Sequence, residues 1–223
     1  MTDVKKTYKD NNFLDTQYKA DLEALQFQDM NTYRVYCLGD WGALENVIYT
    51  KWAVDDFHYP QSYYEKTFAG IDFGFEHPAA WVPIGQIGND IYLPDEVYQA
   101  HLTNPELITL IQEHQKTLGW VDIPTVADSA EPARIEEFIQ SGFIMYDALK
   151  DVVDGINYCQ TFTIHISPRC VNGIRELQAY KRRIDRNGIV LEEPVKWLDH
   201  FLDGFRYGMY TYLRQGGMGG WNV

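Results

Sequence analysis

The chain has 223 residues, 45% of them hydrophobic and 15% aromatic, which is enough apolar material for one packed domain with an appendage and excludes a disordered chain. Its 19 Lys+Arg against 32 Asp+Glu give a net charge of -13, which excludes a histone-like or ribosomal protein that coats nucleic acid through bulk charge. The balance is uneven, because residues 1–149 hold 9 basic and 24 acidic side chains while residues 150–223 hold 10 and 8.

In chain order, residues 14–27 place Tyr18, Leu22, Leu25 and Phe27 near helical spacing, with Asp15 or Thr16 as a cap, and predict one helix. The aromatic and β-branched stretch over 32–57, broken by Gly-Asp and Trp-Gly, reads as an arm packed on another surface. From Lys66 the rhythm becomes that of an α/β domain. TFAGIDFGF is a short strand ending in glycine, and AAWVPIGQIGNDIYLPDEVYQA supplies two more joined by Gly-Asn-Asp, so three consecutive antiparallel strands are expected. Residues 105–118, with Leu107, Leu110, Ile111 and His114 on one face, predict a helix, and a fourth strand then ends near Asp128 and passes directly into another helix. FIMYDAL and TFTIHIS are strands five and six. A helix over VVDGINYCQ separates them, a helix over CVNGIRELQAYKRRID follows, and a last helix runs from 195 to about 213, after Pro194. The expected fold class is α/β: a mixed central β-sheet, three antiparallel strands then parallel strands, flanked by helices. The expected division is an N-terminal arm over 1–65, a domain over 66–214 and a flexible glycine-rich tail over 215–223.

Cys37, Cys159 and Cys170 are too widely spaced for a disulfide framework or a zinc knuckle and suit a reducing, cytoplasmic setting. The N-terminal residues lack the apolar core of a secretion signal, and no run of 18 apolar residues is present, so no membrane association is expected.

Ligands of such sheets sit outside the strand ends that feed helices or turns. Three acids stand out there: Asp72 in GIDFG, Asp128 in ADSAEP, and Asp203 in WLDHFLDGFRYG, flanked by Phe201, Leu202, Phe205 and Tyr207. Each has a structural alternative. Asp72 could be a turn residue before Gly74, Asp128 an N-cap partnered by Glu131, and Asp203 an ion-pair partner of Arg206 at i+3. Together, two strand-end carboxylates and one on a final helix are what a sheet needs to hold two Mg2+ or Mn2+ ions, roughly 3.5–4 Å apart, for phosphodiester hydrolysis. His200 and Asp203 at i and i+3, and Asp199 and Asp203 at i and i+4, can share one side of the last helix. Asp199 could instead favour the helix start, and His77 and His114 read as isolated structural or surface histidines.

GIDFGFEHP, ADSAEPARIEEF, HISPRCVNGIRELQAY and LDHFLDGFRYG, in this order over 67–212, resemble the signature segments of the nuclease domain of phage terminase large subunits, which has an RNase H-like fold. Residues 7–42 resemble the segment that closes the ATPase domain of these packaging motors. The resemblance implies that Asp72, Asp128 and Asp203 are metal-binding catalytic acids and that His200 handles protons or supports them. It also implies that concatemeric viral DNA is cut to leave a 3'-hydroxyl and a 5'-phosphate, in the cytoplasm of a bacterial host. The sequence contains no GxxxxGK[ST] phosphate loop, so no ATPase activity is expected of this chain.

Contact with the phosphate backbone of double-stranded DNA is expected from Lys181, Arg182, Arg183 and Arg186 at a helix end, and from Lys150 beside the metals. In the full-length motor, the resemblance implies the portal and the small terminase subunit as partners. Two competing readings remain: a catalytically feeble docking module for those partners, and a sugar-kinase-like ATPase fragment, whose phosphate hairpin GIDFG also resembles. The second lacks room for the duplicated domain such kinases need.

Overall fold

The computed structural model describes residues 46–214 together with residues 19, 20, 22, 23 and 37. The helix expected over 14–27 lies outside the described residues except at 19, 20, 22 and 23, which are helical, and the tail expected over 215–223 lies outside them. The chain divides into two compact units, one made of residues 49–177 and 198–223, the other of 1–48 and 178–197.

In the larger unit the sheet contains β1 (Trp52–Val54), β2 (Lys66–Asp72), β3 (Ala79–Ile87), β4 (Asp90–Leu93), β5 (Val97–Gln99), β6 (Thr125–Ala127), β7 (Met145–Asp147) and β8 (Thr163–Ile166). Their order is β1-β8-β4-β3-β2-β6-β7, with β5 pairing the outer end of β3. The meander β2–β3–β4 is antiparallel, and β6, β7, β8 and β1 add in parallel. This is the mixed sheet the sequence predicts, with two additions. Residues 52–54, assigned to the arm, form an edge strand on β8, so the sheet-bearing unit begins before residue 66. The third expected strand is also two strands: β4 pairs Gly85–Ile87, β5 pairs Ala79–Trp81, and Pro83, which has no N–H to offer, falls between them.

Helices α1 (Asn104–Leu118), α2 (Pro132–Gln140), α3 (Val152–Cys159), α4 (Val171–Ala179) and α5 (His200–Tyr207) follow, and α5 continues as a π-helical stretch, Gly208–Leu213. A capping box between Thr103 and Glu106 starts α1, and Gly119 at φ 69° ends it. The two-residue period of β2 sorts its side chains between two faces. Ala69 and Ile71 join Leu107, Ile111 and Phe138 of α1 and α2 in the main apolar core. Phe68 and Gly70 face the other way, where Phe68 meets Tyr212 and Gly70 meets Gly204.

That second contact is between backbones. A Cβ on Gly70 would lie 1.8 Å from the Gly204 carbonyl oxygen and 2.9 Å from the Gly208 nitrogen. A Cβ on Gly208 would lie 3.2 Å from the Gly70 nitrogen. Only three glycines allow α5 to come this close to β2.

In the smaller unit, β9 (Arg182–Ile184) and β10 (Val190–Pro194) form an antiparallel hairpin. This corrects two expected helices: α4 stops at Ala179, and the last helix starts at His200 rather than near 195. The Asn-Gly turn is the cause. Gly188 takes φ 81°, and Asp185 Oδ1 accepts the N–H groups of Asn187 and Ile189, closing a hairpin where a helix end was expected. Lys181, Arg182, Arg183 and Arg186 therefore lie on or beside a hairpin and not on a helix. After it, Leu198 at φ 45° delays the onset of α5.

Gly70→Ala is expected to cost about 3 kcal/mol or more in urea unfolding, because backbone cannot yield to the new methyl group. Gly142→Ala, at φ 93° with open space around its Cβ, is expected to cost about 1 kcal/mol. Equal losses at the two positions would contradict a backbone contact between α5 and β2.

Candidate active site

Asp72 is the last residue of β2, and Asp128 directly follows β6. Those strands pair in parallel with Ile71 opposite Ala127, so the two acids leave neighbouring strand ends side by side. In β2 the alternation gives Asp72 the face of Phe68 and Gly70, which is the face that α5 covers. The glycine contact then brings the start of α5, with Asp199, His200 and Asp203, over the strand ends.

Each of the three predicted acids has a basic partner from the protein. His200 Nδ1 donates to Asp72 Oδ2 at 2.9 Å. Lys150, whose side chain is about half exposed, pairs through Nζ with Asp128 Oδ1. Arg206, buried, donates from Nη2 to Asp203 Oδ1 at 2.7 Å. The i,i+3 pair of Asp203 is thus formed, as its structural alternative foresaw. The capping box at Asp128 is not formed: Asp128 Oδ1 accepts the Ala130 N–H at 2.8 Å, and Glu131 is the N-cap of α2 without a side-chain cap bond.

The electrostatics ties these groups into one cluster. Burial raises the Asp72 pKa, His200 opposes this, and the nearby charges of Asp203 and Asp128 raise it further. At Asp128 burial is outweighed by the Lys150 contact, the Ala130 amide and the charges of Lys150 and Arg206, so its pKa is lowered. At His200 burial disfavours the imidazolium, but the hydrogen bond to Asp72 and the charges of Asp72, Asp199 and Asp203 prevail and raise the pKa. Burial, and then the charge of Asp203, push Asp199 up to about 6.

The four predicted catalytic residues, Asp72, Asp128, Asp203 and His200, are therefore brought together, and Asp199 belongs with them. The donor set is made of carboxylate oxygens, which suits a hard divalent cation such as Mg2+ or Mn2+. Among the described residues, however, no three His, Cys, Asp or Glu side chains converge tightly enough to hold an ion. Of the three partners, Lys150 is the one whose side chain is about half exposed.

Other expectations resolve individually. Lys150 lies beside the acids as expected, with its ammonium on Asp128. The hairpin cations fall in the other compact unit, where Lys181 is buried, Arg182 donates to the Glu192 carbonyl at 2.6 Å and Arg183 pairs with Glu193. His114 Nδ1 lies 2.6 Å from Asp95 Oδ2, a satisfied structural histidine. His77 is not isolated, because its ring centroid lies 5.6 Å from that of His200. Sequence reasoning missed Glu176, which accepts the Leu202 N–H in the first turn of α5, and Tyr98, whose ring lies near that of His200. No local pattern marks either residue.

A mixed sheet with acids at neighbouring strand ends and on a covering helix defines an RNase H-like domain. The chain belongs to the family described as Terminase RNAseH like domain, which it matches over residues 72–210, a span containing all the acids above. Residues 2–40 match a second family, described as Phage terminase large subunit. The PBSX phage terminase large subunit of Bacillus subtilis (strain 168) is 28% identical over 92% of this chain, which spans about half (49%) of that protein. The fold is similar to the large terminase nuclease domain of bacteriophage SPP1, solved with bound Mn, at a TM-score of 0.64 and 21% identity over 75% of this chain and 98% of that one. It is also similar to the large terminase of a thermophilic bacteriophage, at a TM-score of 0.61 and 24% identity over 93% of this chain and 54% of that one.

The raised Asp199 pKa has a signed consequence for stability. The native state holds this proton more tightly than the unfolded chain, so metal-free protein loses stability as the pH rises from about 4 to 6. Asp199→Asn removes this loss and is expected to stabilise the metal-free protein by about 1–3 kcal/mol at pH 7, with little gain at pH 4. Urea unfolding at the two pH values checks this, and a gain independent of pH would contradict it.

Proposed function

We propose that this chain is the nuclease portion of a phage terminase large subunit, a metal-dependent endonuclease that cuts concatemeric viral double-stranded DNA during genome packaging. The observation that carries this reading is the gathering of Asp72, Asp128 and Asp203 with His200 at the strand ends beneath α5. The family match supports it, as does the bound Mn in the SPP1 domain that the fold resembles.

In this reading Asp72, Asp128 and Asp203 hold two Mg2+ or Mn2+ ions. Bound ions supply positive charge to the phosphodiester and activate water near neutral pH. His200 keeps the Asp72 carboxylate oriented and holds a proton at Nδ1 in its vicinity. Lys150, once off Asp128, meets a DNA phosphate. Lys181, Arg182, Arg183 and Arg186 also hold the phosphate backbone, without reading bases, so binding is weak and salt-sensitive. The N-terminal residues continue the ATPase half of a longer motor, the portal and small terminase subunit are its partners, and the host cytoplasm is its setting. Nucleotide hydrolysis is assigned to that other half.

The pairing of every acid with a protein cation favours a second reading, a docking module in which the site is held shut. One assay separates the two. Supercoiled plasmid with Mn2+ or Mg2+ is expected to be nicked and degraded, EDTA to stop the reaction, and Asp128→Ala or Asp203→Asn to lower the rate by about 100-fold or more with the fold intact. Cutting that persists undiminished in both variants contradicts the assignment. Wild-type protein that binds Mn2+ and cuts nothing favours the docking module.

A further inference from the structure

Helix α5 carries Asp199, His200 and Asp203, yet it starts without a cap of its own. Asp199 occupies the N-cap position, and its side chain bonds none of the first-turn amides. The Leu202 N–H donates instead to Glu176 Oε2 at 3.0 Å, reached across the fold from α4. Glu176 is only 2% exposed, and burial pushes its carboxyl group well above the usual carboxylate range.

The junction is tight on both sides of this bond. A Cβ on Gly173 would lie 2.6 Å from the Phe201 ring, so the ring from α5 packs directly on the backbone of α4. The start of α4 is itself held from outside, where Glu96 accepts the N–H groups of Asn172 at 2.9 Å and Gly173 at 2.8 Å. Tyr98 places its ring 6.3 Å from that of His200. Burying an acid here has a cost, since desolvation and the charge of Asp199 both disfavour its ionised form. A Ser or Asp at the N-cap would satisfy the helix locally without that cost. What a remote acceptor adds is a fixed point: it ties the first turn of α5 to α4 and so sets the rotation of the helix.

We propose that Glu176 is a positioning residue for the strand-end site, fixing the start and rotation of α5 so that His200 and Asp203 meet Asp72. Its effect on cutting rests on the nuclease reading, whereas its effect on the His200 geometry does not. Both are measured on the full chain for wild type, Glu176→Ala and Glu176→Gln: steady-state plasmid cutting with Mn2+, and the ring-nitrogen chemical shifts of His200 in metal-free protein. The alanine variant, folded by circular dichroism, is expected to lose about tenfold or more in kcat with KM for DNA little changed, and to show a displaced His200 Nδ1 shift. The glutamine variant keeps an oxygen acceptor for the Leu202 amide and is expected to match wild type in both. A folded alanine variant with an unmoved His200 shift, or with wild-type kcat in a protein that cuts, overturns the proposal. Should alanine prevent folding, the glutamine variant decides: wild-type His200 shifts support the role and displaced ones overturn it. Wild type that cuts no DNA counts against the nuclease reading alone, and the His200 shifts still judge Glu176.

Discussion

Gly70 on β2 and Gly204 and Gly208 on α5 and its continuation bring two backbones into direct contact, and the candidate site depends on that approach. With side chains between them, helix and strand would stand about 10 Å apart, as packed layers usually do. At the closer distance a histidine and an aspartate from the first turn of α5 can reach a carboxylate at the end of the strand beneath. The parallel pairing of β2 with β6 supplies the other half of the arrangement, because equal register at Ile71 and Ala127 brings Asp72 and Asp128 out together. Close packing thus sets the electrostatics.

The three carboxylates repel one another, since the charges of Asp203 and Asp128 both raise the Asp72 pKa. The fold offsets the repulsion locally, with His200, Lys150 and Arg206 each assigned to one acid. The partners are unequal. Arg206 is buried within α5, while Lys150 reaches in from an exposed position, so the Asp128 pair is the one that exchanges with least rearrangement. A divalent cation would take over the neutralising role, and the lysine is then free for a phosphate. The overall charge of -13 therefore does not oppose the proposed nucleic-acid role, since part of it is concentrated at the site where that proposal places cations.

The acids and their elements were legible because strand-end and helix-face signals are local. GIDFG and ADSAEP each join an apolar strand to a turn within a few residues, and the spacing of His200, Asp203 and Arg206 is a helix pattern. What was not legible depended on distant partners. β1 and β5 are three residues long, too short for a period, and exist because β8 and β3 offer edges to them. The 182–194 hairpin carried a visible Asn-Gly signal, but the preceding helical spacing masked it. Lys150 was placed near the acids for a phosphate, and its pairing with Asp128 emerges only when β6 and the segment after β7 lie together. Glu176 has no signal in its own neighbourhood, because the amide it caps is 26 residues away in the chain.

As proposed, the strand-end acids form a cation site closed by the protein's own basic side chains. Crystals soaked in Mn2+ and measured near the manganese absorption edge test it most directly. Anomalous density is expected among Asp72, Asp128 and Asp203, with Lys150 withdrawn from Asp128. Ordered carboxylates still bonded to His200, Lys150 and Arg206, with no anomalous density between them at saturating Mn2+, would contradict it.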